Sequence, residues 1–281
     1  MKVNESESQL ADRFVAHSTT LRGVVRHTMV ARQLDVHLPL SPARIVDVGG
    51  GAGHQAVPLA RRGYEVTLLD PSETMLHKAQ AALDGESDDV RQRVHLAPGR
   101  GEEASRLFGL ASFDIVLCHG VLMYLEDPAP LISALVEVAR PGGVVSILTK
   151  NADALAMRPA LEGRYRDAVT AFDADQDVGG MGIATRAHTV KQLASWLAAA
   201  GAEIVQWNGV RVFTDHLGDQ PPPPDLTDIL QAESEAGRRD PYRSVARLIH
   251  TGTPSSGVST VLTGGALIGS GPVLSRLRLQ T

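Results

Sequence analysis

The chain has 281 residues, 43% hydrophobic and 21% charged, with a formal charge of −5. That is enough apolar content for a full core in one large domain or one domain with an insertion, which excludes a fibrous or globally disordered chain; the negative balance argues against gripping nucleic acid through a bulk positive field but leaves room for a local basic face. A single cysteine, Cys118, excludes an internal disulfide framework and a zinc thiolate cluster, while an acidic, polar start and the absence of an uncharged apolar run of about 18 residues predict no secretory signal and no membrane span, so the chain reads as cytoplasmic.

Residues 1–42 read as a helical cap, because "ESQLADRFVAH" and "TLRGVVRHTMVARQLDVHL" place apolar residues at three-and-four spacing. The run "RIVDV" (44–48) predicts a strand, "GHQAVPLARRG" a helix stopped at Gly63, and "YEVTLLD" the next strand. The alternation continues through helix "ETMLHKAQAALDG", strand "RVHLA", helix "GEEASRLFGL", strand "FDIVLCH" (113–119), helix "PAPLISALVEVAR", a turn at "PGG" and strand "VVSILTK" (144–150). Strands and helices alternating at this spacing predict an α/β fold with a parallel sheet covered on both faces.

After Asn151 the pattern breaks into a polar, glycine-dotted insertion over 151–187, of the kind that builds a substrate lid. Helix "TVKQLASWLAAAG" and strands in "AEIVQWNGVRVF" follow, then a stiff proline-rich linker. The stretch "LTDILQAESEAGRRDPYRSVARLIHT" reads as helical, and 251–281 as a loosely ordered, Gly/Ser-punctuated extension beyond a core domain spanning 43–250.

The turn Gly49-Gly50-Gly51-Ala52-Gly53 bares backbone between a strand and a helix, which both nicotinamide dinucleotides and S-adenosylmethionine exploit. Asp70, ending the second strand, is placed to accept hydrogen bonds from a ribose diol and serves either cofactor. Asp47 separates them: a carboxylate at the end of the first strand suits a cationic amino group and would repel a pyrophosphate. The next residues, "DPSETML", put Pro71 and Met75 where an adenine ring would lie, although plain core packing is the better account of a methionine at that helical position.

With "FDIVLCHGVLMYLEDP" and "RPGGVVSI" following, the chain resembles the class I S-adenosylmethionine-dependent methyltransferases. The resemblance implies a Rossmann-like, mostly parallel seven-stranded sheet with helices on both faces. Over roughly residues 10–250 it is similar to a narrower family, the bacterial tRNA 5-carboxymethoxyuridine methyltransferases, through "LRGVVR", "CHGVLMYLEDP", "NGVRVFTDHL" and "RDPYRSVARLIH". That likeness implies a tRNA substrate whose modified wobble uridine is esterified at its carboxylate. It also implies that Arg26 pairs with the carboxylate of S-adenosylmethionine, Gly49 and Gly50, with Gly51 beside them, contact it through backbone, Asp70 holds the ribose, Gly101 and Glu102 lie along the adenine, and His119 sits near the methionine moiety. Glu103 competes with Glu102 for its role, and Lys150 stands where the family usually has an aromatic residue before the asparagine.

A carboxylate acceptor is ionised at neutral pH and needs no general base; an amine or hydroxyl would, and His119 is the first candidate. What a carboxylate needs is a cation to orient it, best an arginine fork. Arg158, Arg164, Arg166, Arg186, Lys150 and Arg211 are the available donors, with Arg186 and Arg164 placed first. Tyr124 and Tyr165 are candidates to stack a base, with ordinary core packing the rival for each, and the ten histidines show no metal-ligand spacing. The same fold acting on a small metabolite or a peptide is the alternative.

Overall fold

A computed structural model describes residues 7–179 and 182–254. Nine strands are named in chain order: β1 (Arg44–Val48), β2 (Glu65–Asp70), β3 (Val94–Pro98), β4 (Phe113–His119), β5 (Ala139–Lys150), β6 (Gln176–Val178), β7 (Ala184–Arg186), β8 (Gln206–Val210) and β9 (Leu248–Pro254). Seven form one sheet in the order β3-β2-β1-β4-β5-β9-β8, parallel except for β9, which runs antiparallel to both neighbours. β6 and β7 form a separate hairpin.

Period-two alternation sorts the strand residues onto two apolar faces. Val46, Val48, Val116, Cys118, Val145 and Ile147 pack under α7 (Ala129–Val138) and α10 (Val190–Ala199). Ile45, Val66, Leu68, Ile115 and Leu117 pack under α3 (Ala56–Arg61) and α4 (Glu73–Asp84). On the same side, farther along the sheet, Leu21, Val25 and Met29 of α2 (Leu21–Asp35) meet Leu148, Val210 and Leu248, together with Leu230 of α11 (Leu226–Gly237). The expected N-terminal cap thus closes part of the core itself. Its first helix, α1 (Glu7–Ser18), is tied to α4 through Glu7 to Ser72 Oγ (2.6 Å) and Asp12 to Lys78 (2.5 Å).

Between β3 and β4 lie α5 (Asp88–Gln92) and α6 (Ala104–Phe108), the latter entered through a 3₁₀ turn at Gly101–Glu103. The insertion folds into α8 (Met157–Leu161), α9 (Tyr165–Ala171) and the β6–β7 hairpin. It returns to the sheet at His188, whose N–H donates to the Lys150 carbonyl (2.9 Å) and whose Nδ1 meets Thr149 Oγ1 (3.0 Å). Lys150 bonds Asp177 and Thr185 and so pins the hairpin to the end of β5.

The C-terminal part differs from expectation. The helix expected over 226–251 ends at Gly237, and the chain then forms β9, hydrogen-bonded to β5 on one side and β8 on the other. Short apolar runs such as "ARLIHT" do not distinguish a helix from a buried strand. The strand carries the core past residue 250, with Thr251 and Thr253 fully buried in it. The expected loose extension lies, from residue 255 onward, outside the described residues.

Candidate functional site

The strand order reverses between β1 and β4, and at such a switch point the carboxyl ends of the strands open a crevice. The glycine turn leaves β1 there. Gly49 adopts φ +70° and Gly51 φ +56°, and a Cβ on Gly49 would run into Val121 and one on Gly50 into Leu68 and Asp47, so conformation and close packing together keep this backbone bare. Asp70 holds the turn: its Oδ2 accepts from Gly51 N and its Oδ1 from Ser72 N, both at 2.9 Å. Burial raises its pKa, and those two hydrogen bonds oppose the shift. Pro71 is exposed just beyond; Met75 is half-buried, its sulfur 3.9 Å from where a Gly51 Cβ would stand, facing the turn rather than the core.

Asp47 is buried with Oδ2 unpartnered. Burial first, then repulsion from Asp70, push its pKa up to about 7, with Arg26 opposing. An orphaned, half-protonated carboxyl beneath a bare turn fits a cationic ligand group and disfavours a diphosphate.

Arg26, on α2, extends across the crevice and donates from Nη2 to the His119 carbonyl (2.8 Å). The space for its guanidinium comes from Gly120: a Cβ there would stand 2.6 Å from Nη2. One residue on, His27 stacks on His54 of the glycine turn, ring centroids 5.2 Å apart. Burial and the neighbouring Arg26 charge hold both rings neutral, His27 with a pKa near 3.

Both ring nitrogens of His119 are engaged within the protein. Its Nδ1 meets Gln55 Oε1 (2.8 Å) and its Nε2 meets Ser146 Oγ (2.9 Å), which continues through His250 to Gln33. Burial drives its pKa well below the usual histidine value, and His250 and Arg26 add to the effect. A ring so engaged is no general base; only its backbone carbonyl touches the site's cation. Gly101 packs so closely that a Cβ would stand 2.5 Å from Leu131 and 2.6 Å from Val48. Glu103 caps its own turn through the Arg100 N–H and pairs with Arg106 (2.6 Å), while Glu102 is half-buried with the Arg100 guanidinium 4.0 Å away.

The two arginines placed first for the acceptor are not brought together. Arg164 is spent on the surface between Glu162 and Asp167, and Arg186 lies at the end of the hairpin with no ion pair among the described residues. Instead Arg158, Arg211 and Arg247 surround Asp215, at 3.9, 3.3 and 3.7 Å, in a recess at the carboxyl-terminal edge of the sheet. Arg22 lies beside it, paired with Asp219 (2.6 Å). Burial depresses Arg211 to a pKa of about 10. Arg247, Asp215 and the buried Glu233, which accepts from the N–H groups of Val212, Phe213 and Thr214, escaped the sequence reading. The signal for Asp215 and Arg247 was the pair of segments "NGVRVFTDHL" and "RDPYRSVARLIH", which cofactor binding does not require and which meet here; Glu233 lies in neither. Tyr165 is 71% exposed and Tyr124 partly so, against core packing for either.

The family model described as "Methyltransferase domain" matches residues 46–145. Among solved structures, an S-adenosylmethionine dependent methyltransferase from Mesorhizobium loti superposes with a TM-score of 0.54 at 22% identity, covering 80% of this chain and 97% of that one. The ubiquinone biosynthesis O-methyltransferase of Paracidovorax citrulli is 35% identical over 131 residues, 46% of this chain and 53% of that protein. The tRNA 5-carboxymethoxyuridine methyltransferase of Escherichia coli (strain K12) is 33% identical over 245 residues, 82% of this chain and 88% of that one. The chain belongs to the tRNA 5-carboxymethoxyuridine methyltransferase family. As a class I methyltransferase it carries the expected seven-stranded sheet. The match to its own family runs well beyond the stretch shared with the ubiquinone enzyme.

Proposed function

We propose that this methyltransferase moves the methyl group of S-adenosylmethionine onto the carboxylate of 5-carboxymethoxyuridine at the tRNA wobble position, giving the methyl ester in the cytoplasm. The observation that carries the reading is the state of the histidines around the glycine turn. His27, His54 and His119 are stacked or hydrogen-bonded, and their environments disfavour the protonated form. They are too weakly basic to deprotonate an amine or hydroxyl, whereas a carboxylate arrives ionised.

S-adenosylmethionine, when bound, supplies an activated methyl on a sulfonium. Asp47 would take its ammonium group, Arg26 its carboxylate and Asp70 its ribose; the backbone at Gly49, Gly50 and Gly51 would lie against it, with Gly101, Glu102, Pro71 and Met75 on the adenine side. The 151–187 insertion, pinned to β5 by Lys150, walls the acceptor side and keeps water out. The chain's contribution is alignment rather than proton transfer.

Isotope-labelled S-adenosylmethionine incubated with total tRNA from a strain lacking the gene, followed by mass spectrometry of nucleosides, tests this. Label in a methyl ester of the modified uridine is the expected result. Label confined to small molecules or peptides would replace the tRNA reading with that of a metabolite or peptide enzyme.

A further inference from the structure

We propose that Arg211 and Arg247, with Arg158 at the mouth of the recess, form the subsite that selects the acceptor's carboxylate. The inference rests on the esterification reading above and names the residues that make it selective.

Three observations carry it. The first is a local imbalance of charge. Lys150, Arg158, Arg211 and Arg247, with Arg164 at the surface, share Asp177, Glu162, Asp167 and Asp215, while Arg22 and Asp219 neutralise each other. Within ion-pair distance the cations outnumber the carboxylates by one, the nearby Glu233 being taken up by three backbone N–H groups and the Thr214 hydroxyl, in a place where Arg247 is only 4% exposed and under-compensated charge is costly.

The second is unused donors. Arg211 Nε and Arg247 Nη1 are buried without hydrogen-bond partners, and the Asp215 oxygens, although within 3.3–3.9 Å of three guanidinium groups, form no hydrogen bond to them. Planar forks in this state match an incoming carboxylate.

The third is backbone strain held by design. Arg211 adopts φ +62°, a conformation costly for any side-chain-bearing residue, and the following three N–H groups are clamped by the buried Glu233 carboxylate. Lys150, Arg211 and Arg247 all lie at the sheet edge where Arg26 and the glycine turn lie, and the Arg26 charge is among those that depress Arg211.

The test titrates the S-adenosylhomocysteine-loaded enzyme with 5-carboxymethoxyuridine and with uridine. The acid nucleoside should bind roughly 10- to 150-fold more tightly, the worth of hydrogen bonds to a charged group. Arg211→Gln should collapse that ratio while leaving S-adenosylhomocysteine affinity unchanged; Arg211→Lys, keeping charge without the fork, should retain part of it. Should Arg211→Gln lose cofactor affinity, Arg211→Lys and Arg158→Gln decide by the same ratio. A wild-type ratio near one, or a ratio these variants do not lower, overturns the subsite. If the ratio behaves as expected but no methyl reaches tRNA, the tRNA reading fails and the subsite stands; if methyl ester forms equally well with Arg211→Gln, the subsite fails and the tRNA reading stands.

Discussion

Cofactor affinity measured against pH reports directly on Asp47. In the cofactor-free protein its pKa stands at about 7 against an ordinary 3.8, because the carboxyl is buried and faces Asp70, with Arg26 compensating only in part. At about 1.36 kcal/mol per pH unit, carrying the charge at neutral pH costs the free protein on the order of 4 kcal/mol. Since the folded pKa is raised, the folded protein holds a proton that the unfolded chain has lost. Asp47 therefore lowers stability progressively as pH rises from about 4 to about 7, and no further above that. An ammonium group placed beside Asp47 reverses the preference and expels the proton. Relative to Asp47→Asn, wild-type affinity for S-adenosylhomocysteine should fall roughly 20-fold between pH 7.5 and 5.5, the ratio cancelling any titration of the ligand. Isothermal titration calorimetry across that range, in buffers of different ionisation enthalpy, reads both the slope and the released proton. Equal pH slopes for wild type and Asp47→Asn, with no proton released below pH 7, would refute the assignment of Asp47 to the ammonium group.

Three further outcomes are expected. Asp70→Ala removes the acceptor of Gly51 N and Ser72 N as well as the ribose partner, and should weaken S-adenosylmethionine binding by about 1.5–3 kcal/mol in a calorimetric titration; unchanged affinity counts against the ribose role. Gly120→Ala, at φ +92° with its new Cβ 2.6 Å from the Arg26 guanidinium, should combine about 1–2 kcal/mol of strain with at least a roughly tenfold loss of cofactor affinity, read by melting and by binding. Glu233→Ala leaves three backbone donors of the Arg211 loop without their acceptor and should cost about 3 kcal/mol or more in denaturant unfolding; a loss under about 1 kcal/mol would mean the loop is held by something else.

The parallel sheet was legible because its strands are continuous apolar runs: 113–119 in β4 is bounded as read, and α4 and α10 fall within a residue or two of their periodic stretches. The glycine turn and its flanking carboxylates were legible because their placement is local. Five residues of backbone, a carboxylate before them and another at the next strand's end lie within one β-turn-α-β unit, so spacing alone brings them together.

The acceptor side is of another kind. β9 was misread because a short apolar run takes its conformation from what pairs with it, and its partners, β5 and β8, lie far away in sequence. With β9 misplaced, Arg247 could not be brought beside Arg211 and Arg158, and an arginine on the surface, Arg164, looked as eligible as a buried one. Likewise His119 looked like a base until the Gln55 and Ser146 contacts accounted for both ring nitrogens. The sequence by itself determined the strand-and-helix alternation and the glycine turn with its two carboxylates, because both are written in near-neighbour spacing. Only the tertiary structure decided which charges are buried, which are neutralised and which remain free for a substrate, because those depend on residues from distant stretches of the chain meeting at one edge of the sheet.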